Sequence, residues 1–94
     1  MIKVTTAHGT YYLIDKEKRV AKRVKGDGRN EMYHDDEWWD FFSVVAYDRK
    51  EHMRVADDIV IGYDMYFRTG HGMYDWRIST AVTSIEEVVD NYPA

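Results

Sequence analysis

The first fifteen residues, Met1–Asp15, read MIKVTTAHGTYYLID, and they indicate the fold class more clearly than any other stretch. Residues on both sides of the AHG turn alternate in polarity, and many are β-branched or aromatic, which is typical of strands. Gly9 can adopt the positive φ that a tight turn requires. The pattern predicts a β-hairpin with strands over about residues 2–6 and 10–15.

The basic segment that follows the hairpin fits either a helix or a strand. As a helix over residues 16–25 it has Asp15 as a candidate N-cap and Gly26 where a C-terminal glycine belongs. As a strand it places Val20 and Val24 on one face, with Lys22 between them on the same apolar side. The residue pattern alone slightly favours the helix.

The segment Glu37–Tyr47, which follows a polar loop and contains EWWDFFSVVAY, is also ambiguous. Its apolar residues fit helical spacing, but the density of aromatic and β-branched residues favours a strand. Successive side chains of a strand point to opposite faces, so Trp38 and Trp39 cannot both be in the core. One tryptophan should be buried, and the other should need a second cover.

The C-terminal half predicts a second hairpin and a short helix. The run IVIGYDMYFRT at residues 59–69 is a predicted strand with a bulge or bend at Gly62, and the glycines at 70 and 72 turn it back onto YDWRIST at 74–80. Near the end, Ser84 and Glu87 fit a capping box, as do Thr83 and Glu86, which predicts a short C-terminal helix.

The overall composition limits both the architecture and the location. A chain of 94 residues with 45% hydrophobic and 32% charged residues predicts one folded domain over residues 1–94. The absence of cysteine excludes disulfides, thiolate zinc sites and cysteine nucleophiles. No apolar run approaches the roughly 20 residues that span a bilayer, and the first residues lack signal-peptide features, so we expect a cytoplasmic protein.

Residue types that carry catalysis or bind metals occur without the spacing those functions require. The four histidines do not form a zinc-binding motif on one element, and the serines do not lie in a nucleophile-elbow motif. We therefore expect a non-enzymatic protein with no metal site and no cofactor. The residues considered were His8, His34, His52, His71, Ser43, Ser79 and Ser84.

Basic residues are concentrated in Lys16–Arg29, which carries seven Lys or Arg against two acids, whereas the whole chain has a net charge of −4. Such an asymmetry can mark a phosphate-binding face, although lysines on a solvated edge strand also discourage aggregation. Nucleic-acid binding is therefore the alternative function, and the solvated edge is favoured over it. The candidate residues for nucleic-acid binding are Lys18, Arg19, Lys22, Arg23 and Lys25.

Large aromatic residues are more numerous than one face of a small sheet can hide. The chain has three Trp, eight Tyr and three Phe, and strand alternation forces part of them outward. Exposed aromatics flanked by charge are typical of interface centres, so we expect a protein-binding or self-associating surface, with a homodimer as its commonest form. The predicted partner-binding residues are Trp38, Trp39, Phe42, Tyr66 and Tyr74.

Two stretches together, VTTAHGTYYLID at residues 4–15 and WRISTAVTSIEE at 76–87, resemble small orphan proteins of actinobacterial phages. In those proteins a V-T-T-x-x-G-T-x-Y start and an R-x-S-T-P-V-x-S-I-E ending recur, and this chain has Ala81 where the proline is frequent. The resemblance implies a strand-dominated fold in which KRVAKRVK is a third strand. It also implies an accessory protein, with no activity known for the class, that acts in the cytoplasm of an infected bacterium and binds a host protein.

With the resemblance included, the sequence predicts a mainly β fold. We expect a single small antiparallel sheet or small barrel of five or six strands, followed by a short C-terminal helix. An α+β fold with a helix at residues 16–25 or 37–47 is the alternative. The predicted function is a non-enzymatic protein-interaction module.

Overall fold

The computed structural model describes residues 1–26, 35–70 and 76–88, and these residues form a mainly β structure, as predicted. Besides one short 3-10 turn at Ala7–Gly9, every regular element among them is a strand. The strands are β1 (Ile2–Thr6), β2 (Tyr11–Asp15), β3 (Val20–Val24), β4 (Trp38–Asp40), β5 (Ser43–Asp48), β6 (Met53–Ala56), β7 (Asp64–Arg68), β8 (Trp76–Ile78) and β9 (Val82–Glu87).

The strands form two antiparallel sheets, one of five strands in the order β4-β3-β2-β1-β9 and one of four in the order β6-β5-β7-β8. The prediction of one sheet or small barrel of five or six strands was therefore wrong, because the nine described strands form two sheets and no closed barrel. The chain changes sheet between adjacent residues. The Phe41 amide donates to the Arg19 carbonyl beside the first sheet, and the Phe42 amide donates to the Arg68 carbonyl of the second.

The N-terminal hairpin is confirmed. Strands β1 and β2 pair with Val4 opposite Tyr12, and the turn between them contains Gly9 at φ +83°. Side chains that face each other across an antiparallel pair lie on the same face of the sheet, so Val4, Tyr12 and Ile14 are buried together. This hairpin forms the middle of the five-stranded sheet.

The segment after the hairpin is a turn followed by β3, so a helix over residues 16–25 is wrong. The Asp15 carboxylate accepts a hydrogen bond from the Lys18 amide at 3.0 Å, and this local bond stabilises a turn instead of a helix N-terminus. The faces of β3 are also reversed from the expectation. Val20 and Val24 lie on the outer, half-buried face, whereas Ala21 and Arg23 face the core.

A helix over residues 37–47 is likewise wrong, and so is one continuous strand there. Strands β4 and β5 lie in different sheets, separated by Phe41 and Phe42. The expected divergence of the two tryptophans is observed, since Trp39 is buried in the core and Trp38 is half-buried on the opposite face.

The predicted C-terminal helix does not begin at Thr83 or Ser84, because Val82–Glu87 is strand β9 at the edge of the five-stranded sheet, and residues 89–94 of the predicted segment lie outside the described residues. It pairs with β1, with Ile85 opposite Val4, and its ladder bonds satisfy backbone groups along β1. The Thr83 hydroxyl donates to the Thr5 carbonyl at 3.1 Å, so it stabilises strand pairing and does not cap a helix.

The second hairpin has the predicted antiparallel arms, β7 and β8, whereas residues 71–75 of its loop lie outside the described residues. Gly62, at φ +92°, belongs to the turn before β7 and is not a bulge within it.

The core lies between the two sheets and is centred on Phe67, whose side chain is completely buried. Its ring centroid lies 5.7 Å from that of Tyr12, 5.1 Å from Trp39 and 5.3 Å from Phe41. The contact with Tyr12 is stacked and the other two are edge-to-face, and both arrangements add stabilisation to the burial of apolar area. Phe67 therefore joins the four-stranded sheet to β2 and β4 of the five-stranded sheet.

Candidate interaction face

The outer face of the four-stranded sheet carries an open groove that we call the aromatic groove. Met65 and Phe67 of β7 point into the core, so alternation turns Tyr66 outward between them. The strand register then places Val45 and Ile78 on either side of Tyr66. The groove measures about 320 Å³ and is lined by Val45, Tyr47, Arg54, Tyr66, Trp76 and Ile78.

Three aromatic rings cross the groove, one from each of three neighbouring strands. The centroids of Tyr47 and Tyr66 lie 5.2 Å apart with their planes at 52°, and those of Tyr66 and Trp76 lie 6.3 Å apart at 69°. Because the neighbouring rings are in contact and inclined to each other, they form one angled aromatic surface and not a flat platform.

Polar groups lie at the end of the groove near Tyr47. The Arg54 guanidinium carbon lies 5.8 Å from the centre of the Tyr47 ring, and the Tyr47 hydroxyl is hydrogen-bonded to His52 Nδ1 at 2.8 Å. The buried Asp64 carboxylate is paired with Arg49, an interaction that raises the pKa of Arg49. Arg54 therefore gives the groove a positive charge at this end.

The groove leaves large apolar side chains accessible to water. Trp76 is 49% exposed and Ile78 is 45% exposed, and both lie on the outer face of edge strand β8. A cluster of exposed apolar side chains on a folded domain is typical of an interaction surface. Isolated exposed apolar residues need no such explanation, but these two adjoin Tyr66 in one groove.

The partner-binding residues that the sequence predicted do not lie together in the structure. Tyr66 lines the aromatic groove, but Trp39 is buried in the core, so its indole is not available to a partner. Trp38 lies on the outer face of the other sheet, where its ring centre is 5.9 Å from the Lys22 ammonium. Phe42 is 65% exposed where the chain changes sheet, and Tyr74 lies outside the described residues.

Most of the groove was missed by the sequence prediction. Tyr47 and Val45 alternate along β5, and Trp76 and Ile78 alternate along β8, so each pair could be recognised as one strand face. What the sequence does not provide is the register that places both pairs beside Tyr66.

The basic residues predicted for nucleic-acid binding do not form one face. Arg23 is buried and its guanidinium lies 2.5 Å from the Asp35 carboxylate, while Lys22, its neighbour in β3, points to the opposite side of the sheet. The Arg19 guanidinium donates to the Phe42 carbonyl. Lys18 and Lys25 each take part in further interactions of their own.

A buried polar cluster lies between the sheets, on the inner side of β3 and β8. Asp35 lies 2.5 Å from Arg23 and 3.9 Å from Arg77, and all three side chains are less than one-tenth exposed. Burial raises the pKa of the nearby Tyr12 hydroxyl, an effect that the charge of Arg23 opposes in part, and burial lowers the pKa of Arg77. The cluster therefore places one carboxylate and two guanidinium groups in the buried region between the sheets.

Ser79, one of the serines considered as a possible nucleophile, is buried and has a structural role. The Ser79 hydroxyl accepts a hydrogen bond from the Met65 amide at 2.8 Å and donates one to the Thr80 carbonyl at 2.7 Å. Among residues 1–26, 35–70 and 76–88, no group of three or more His, Asp or Glu side chains is placed to hold a metal ion. Within the same ranges, no helix has the length and apolarity needed to cross a bilayer.

Comparisons of the chain with protein-family models, with curated proteins and with solved structures gave no match. The geometry of the aromatic groove is therefore the main basis for a functional proposal.

Proposed function

We propose that this chain is a non-enzymatic protein-interaction module and that the aromatic groove binds its partner. The observation that supports this is the set of three aromatic rings on the outer face of β5, β7 and β8. The core between the sheets already contains its own aromatic residues, including Phe67 and Trp39. The rings of the groove are therefore additional to those that the fold uses for its core.

The chemical composition of the groove supports a protein partner. Tyr, Trp and Arg are enriched among the residues that dominate binding energies in protein interfaces. The described residues that line the groove include two tyrosines, one tryptophan and one arginine, with Val45 and Ile78 between or beside the rings. Trp76 is the most exposed of these rings, so we expect it to contribute most to binding.

The resemblance to phage proteins suggests where the partner would be found. The ending that resembles those proteins begins at Arg77, directly after Trp76 of the groove. We propose that the chain acts as an accessory protein in the cytoplasm of an infected bacterium and that its partner is a host protein. A second copy of the chain, bound through the same groove, is the alternative partner.

A pull-down from host lysate tests the proposal, with wild type and Trp76→Ala as paired baits. Phe42→Ala is the matched control because it removes an aromatic ring of similar exposure outside the groove. We expect at least one protein to be retained by wild type and Phe42→Ala and lost by Trp76→Ala. If all three baits retain the same proteins, the groove is not the binding surface.

Light scattering over a range of protein concentrations tests self-association separately. A mass that doubles with concentration in wild type but not in Trp76→Ala would show that a second copy occupies the groove. A mass that stays monomeric in both would leave the groove free for another protein. Circular dichroism of each variant verifies that the fold is intact.

A further inference from the structure

We propose that the occupant of the aromatic groove is an extended, proline-rich segment of the partner that carries an acidic residue. This inference rests on the proposed function and specifies the chemistry of the partner. It follows from the size of the groove, the inclination of its rings, the polar atoms on its rim and its charge.

The size of the outer face fits a peptide segment better than a folded domain. Four strands at a spacing of about 4.8 Å make a face about 19 Å across, and strands of three to six residues give it a similar length at most. Its projected area is then of the order of 300 Å², well below the roughly 800 Å² per partner of a stable protein–protein interface. A second copy seated on this face alone would bury too little area.

The inclined rings favour proline as the group that enters the groove. Aromatic-lined grooves bind proline-rich segments because the polyproline II helix is already extended, so little conformational entropy is lost on binding. Tyr47, Tyr66 and Trp76 contact one another and present a continuous, angled aromatic surface against which a proline ring can pack. The centroids of Tyr47 and Tyr66 lie 5.2 Å apart and those of Tyr66 and Trp76 lie 6.3 Å apart. A polyproline II helix, which rises ~3.1 Å per residue, needs about four residues to extend over all three rings.

The rim of the groove offers hydrogen-bond donors that complement such a segment. The Tyr66 hydroxyl and the Trp76 indole N–H are hydrogen-bond donors carried by two of the rings that line the groove. A polyproline II helix has no internal hydrogen bonds, so its carbonyl oxygens are free to accept from these two groups. Tyrosine and tryptophan can therefore bind the proline rings and the backbone together.

The charge of the groove selects an acidic residue in the segment. Arg54 is the charged residue among the described residues that line the groove, and its guanidinium lies beside Tyr47 at one end. A carboxylate in the segment can pair with this guanidinium through two parallel hydrogen bonds. A single arginine gives little affinity for the phosphates of a nucleic acid, which need many cationic contacts, and the chain carries a net charge of −4.

A displayed library of random twelve-residue peptides, sorted on the folded, labelled protein, tests the inference without presupposing a sequence. We expect the selected peptides to be enriched in proline with an acidic residue nearby. Trp76→Ala should weaken the best peptide by about thirtyfold or more, the effect typical of an interface hot spot, while Phe42→Ala should leave its affinity unchanged.

Charge reversal gives a second and independent readout. Arg54→Glu should weaken an acidic peptide about tenfold and should strengthen the same peptide with lysine in place of the acid. Selection of peptides without proline, or equal binding of both peptides by Arg54→Glu and wild type, would overturn the inference. Saturable binding of oligo-dT that is abolished by Trp76→Ala would also overturn the inference.

The failure of this inference and the failure of the proposed function give different results. If the lysate partner depends on Trp76 but the selected peptides lack proline, the groove binds a protein by another mode and only this inference is wrong. If neither the lysate partner nor any peptide depends on Trp76, the proposed function is wrong as well.

Discussion

The guanidinium carbon of Arg77 lies 4.6 Å from the centre of the Trp39 ring, so a cation of β8 stacks on an aromatic ring of β4 in the other sheet. The Asp35 carboxylate lies close to this pair and also to Arg23 of β3. One carboxylate thus meets an arginine from each sheet. The charges of this cluster therefore connect β3 of one sheet to β8 of the other, in addition to the apolar packing between the sheets.

Replacing Asp35 with asparagine should destabilise the fold strongly. The change keeps the shape of the side chain but removes the negative charge that faces Arg23 and Arg77, and breaking a buried pair in this way typically costs about 3–5 kcal/mol. The free energy of unfolding from urea titrations measures the loss. Asp64→Asn is the matched control, because its partner Arg49 is solvent-exposed, and its loss should be clearly smaller than that of Asp35→Asn. Equal losses would show that the cluster has no special structural role.

Local sequence patterns were sufficient to predict the first hairpin and the antiparallel pairing of β7 with β8. In both, the alternation of side chains and a glycine near the turn lie within about fifteen residues of chain, so the information needed is local. The same holds for the divergence of Trp38 and Trp39, which follows from the geometry of any strand.

Pairings that depend on distant residues were not predictable. Ser84 and Glu87 fit a helix cap locally, but the edge of β1 is more than seventy residues away in sequence and binds this segment as β9. Arg23 was expected on the polar face because its buried carboxylate partner, Asp35, cannot be identified from spacing.

The candidate site was predictable only in part, for the same reason. The surplus of aromatic residues indicated an exposed aromatic surface, and Tyr66 was among the residues predicted for it. The grouping of Tyr47, Tyr66 and Trp76 depends on the register between three strands, which the sequence does not show.

Truncating Phe67 to alanine should cause the largest loss among the core aromatics. Phe67 is fully buried and contacts the rings of Tyr12, Trp39 and Phe41, and removal of such a side chain typically costs about 3–5 kcal/mol. Phe42→Ala, which truncates an exposed phenylalanine, should cost only about 1 kcal/mol. Thermal and urea unfolding followed by circular dichroism give both values. Similar losses for the two variants would contradict the position of Phe67 at the centre of the core.

Alanine should be tolerated much better at Gly9 than at Gly26. A Cβ atom at Gly26 would lie 2.7 Å from the Thr10 amide nitrogen and equally close to the Gly9 carbonyl carbon, and this backbone cannot move aside as a side chain could. We expect Gly26→Ala to cost about 3 kcal/mol, the upper part of the range for overpacking. Gly9 has open space around it, so only its φ of +83° is unfavourable to alanine, at about 1–2 kcal/mol. Urea titrations of both variants compare them, and a smaller loss at Gly26 would refute the close approach.

The stability of the protein should fall in alkali partly because of Tyr12. Burial raises the pKa of its hydroxyl above the value of about 10 in the unfolded chain, so the folded state favours the protonated phenol. The contribution of Tyr12 is complete below the unfolded pKa and is lost as the pH rises through the higher, folded pKa. Tyr12→Phe should be less stable than wild type at pH 7, by about 1 kcal/mol for the lost hydroxyl interaction with Arg23. Because phenylalanine does not titrate, the difference between the two proteins should shrink above pH 10, and urea titrations from pH 7 to pH 11 measure it. A difference that is constant over this range would show that Tyr12 ionises equally easily in the folded and unfolded chains.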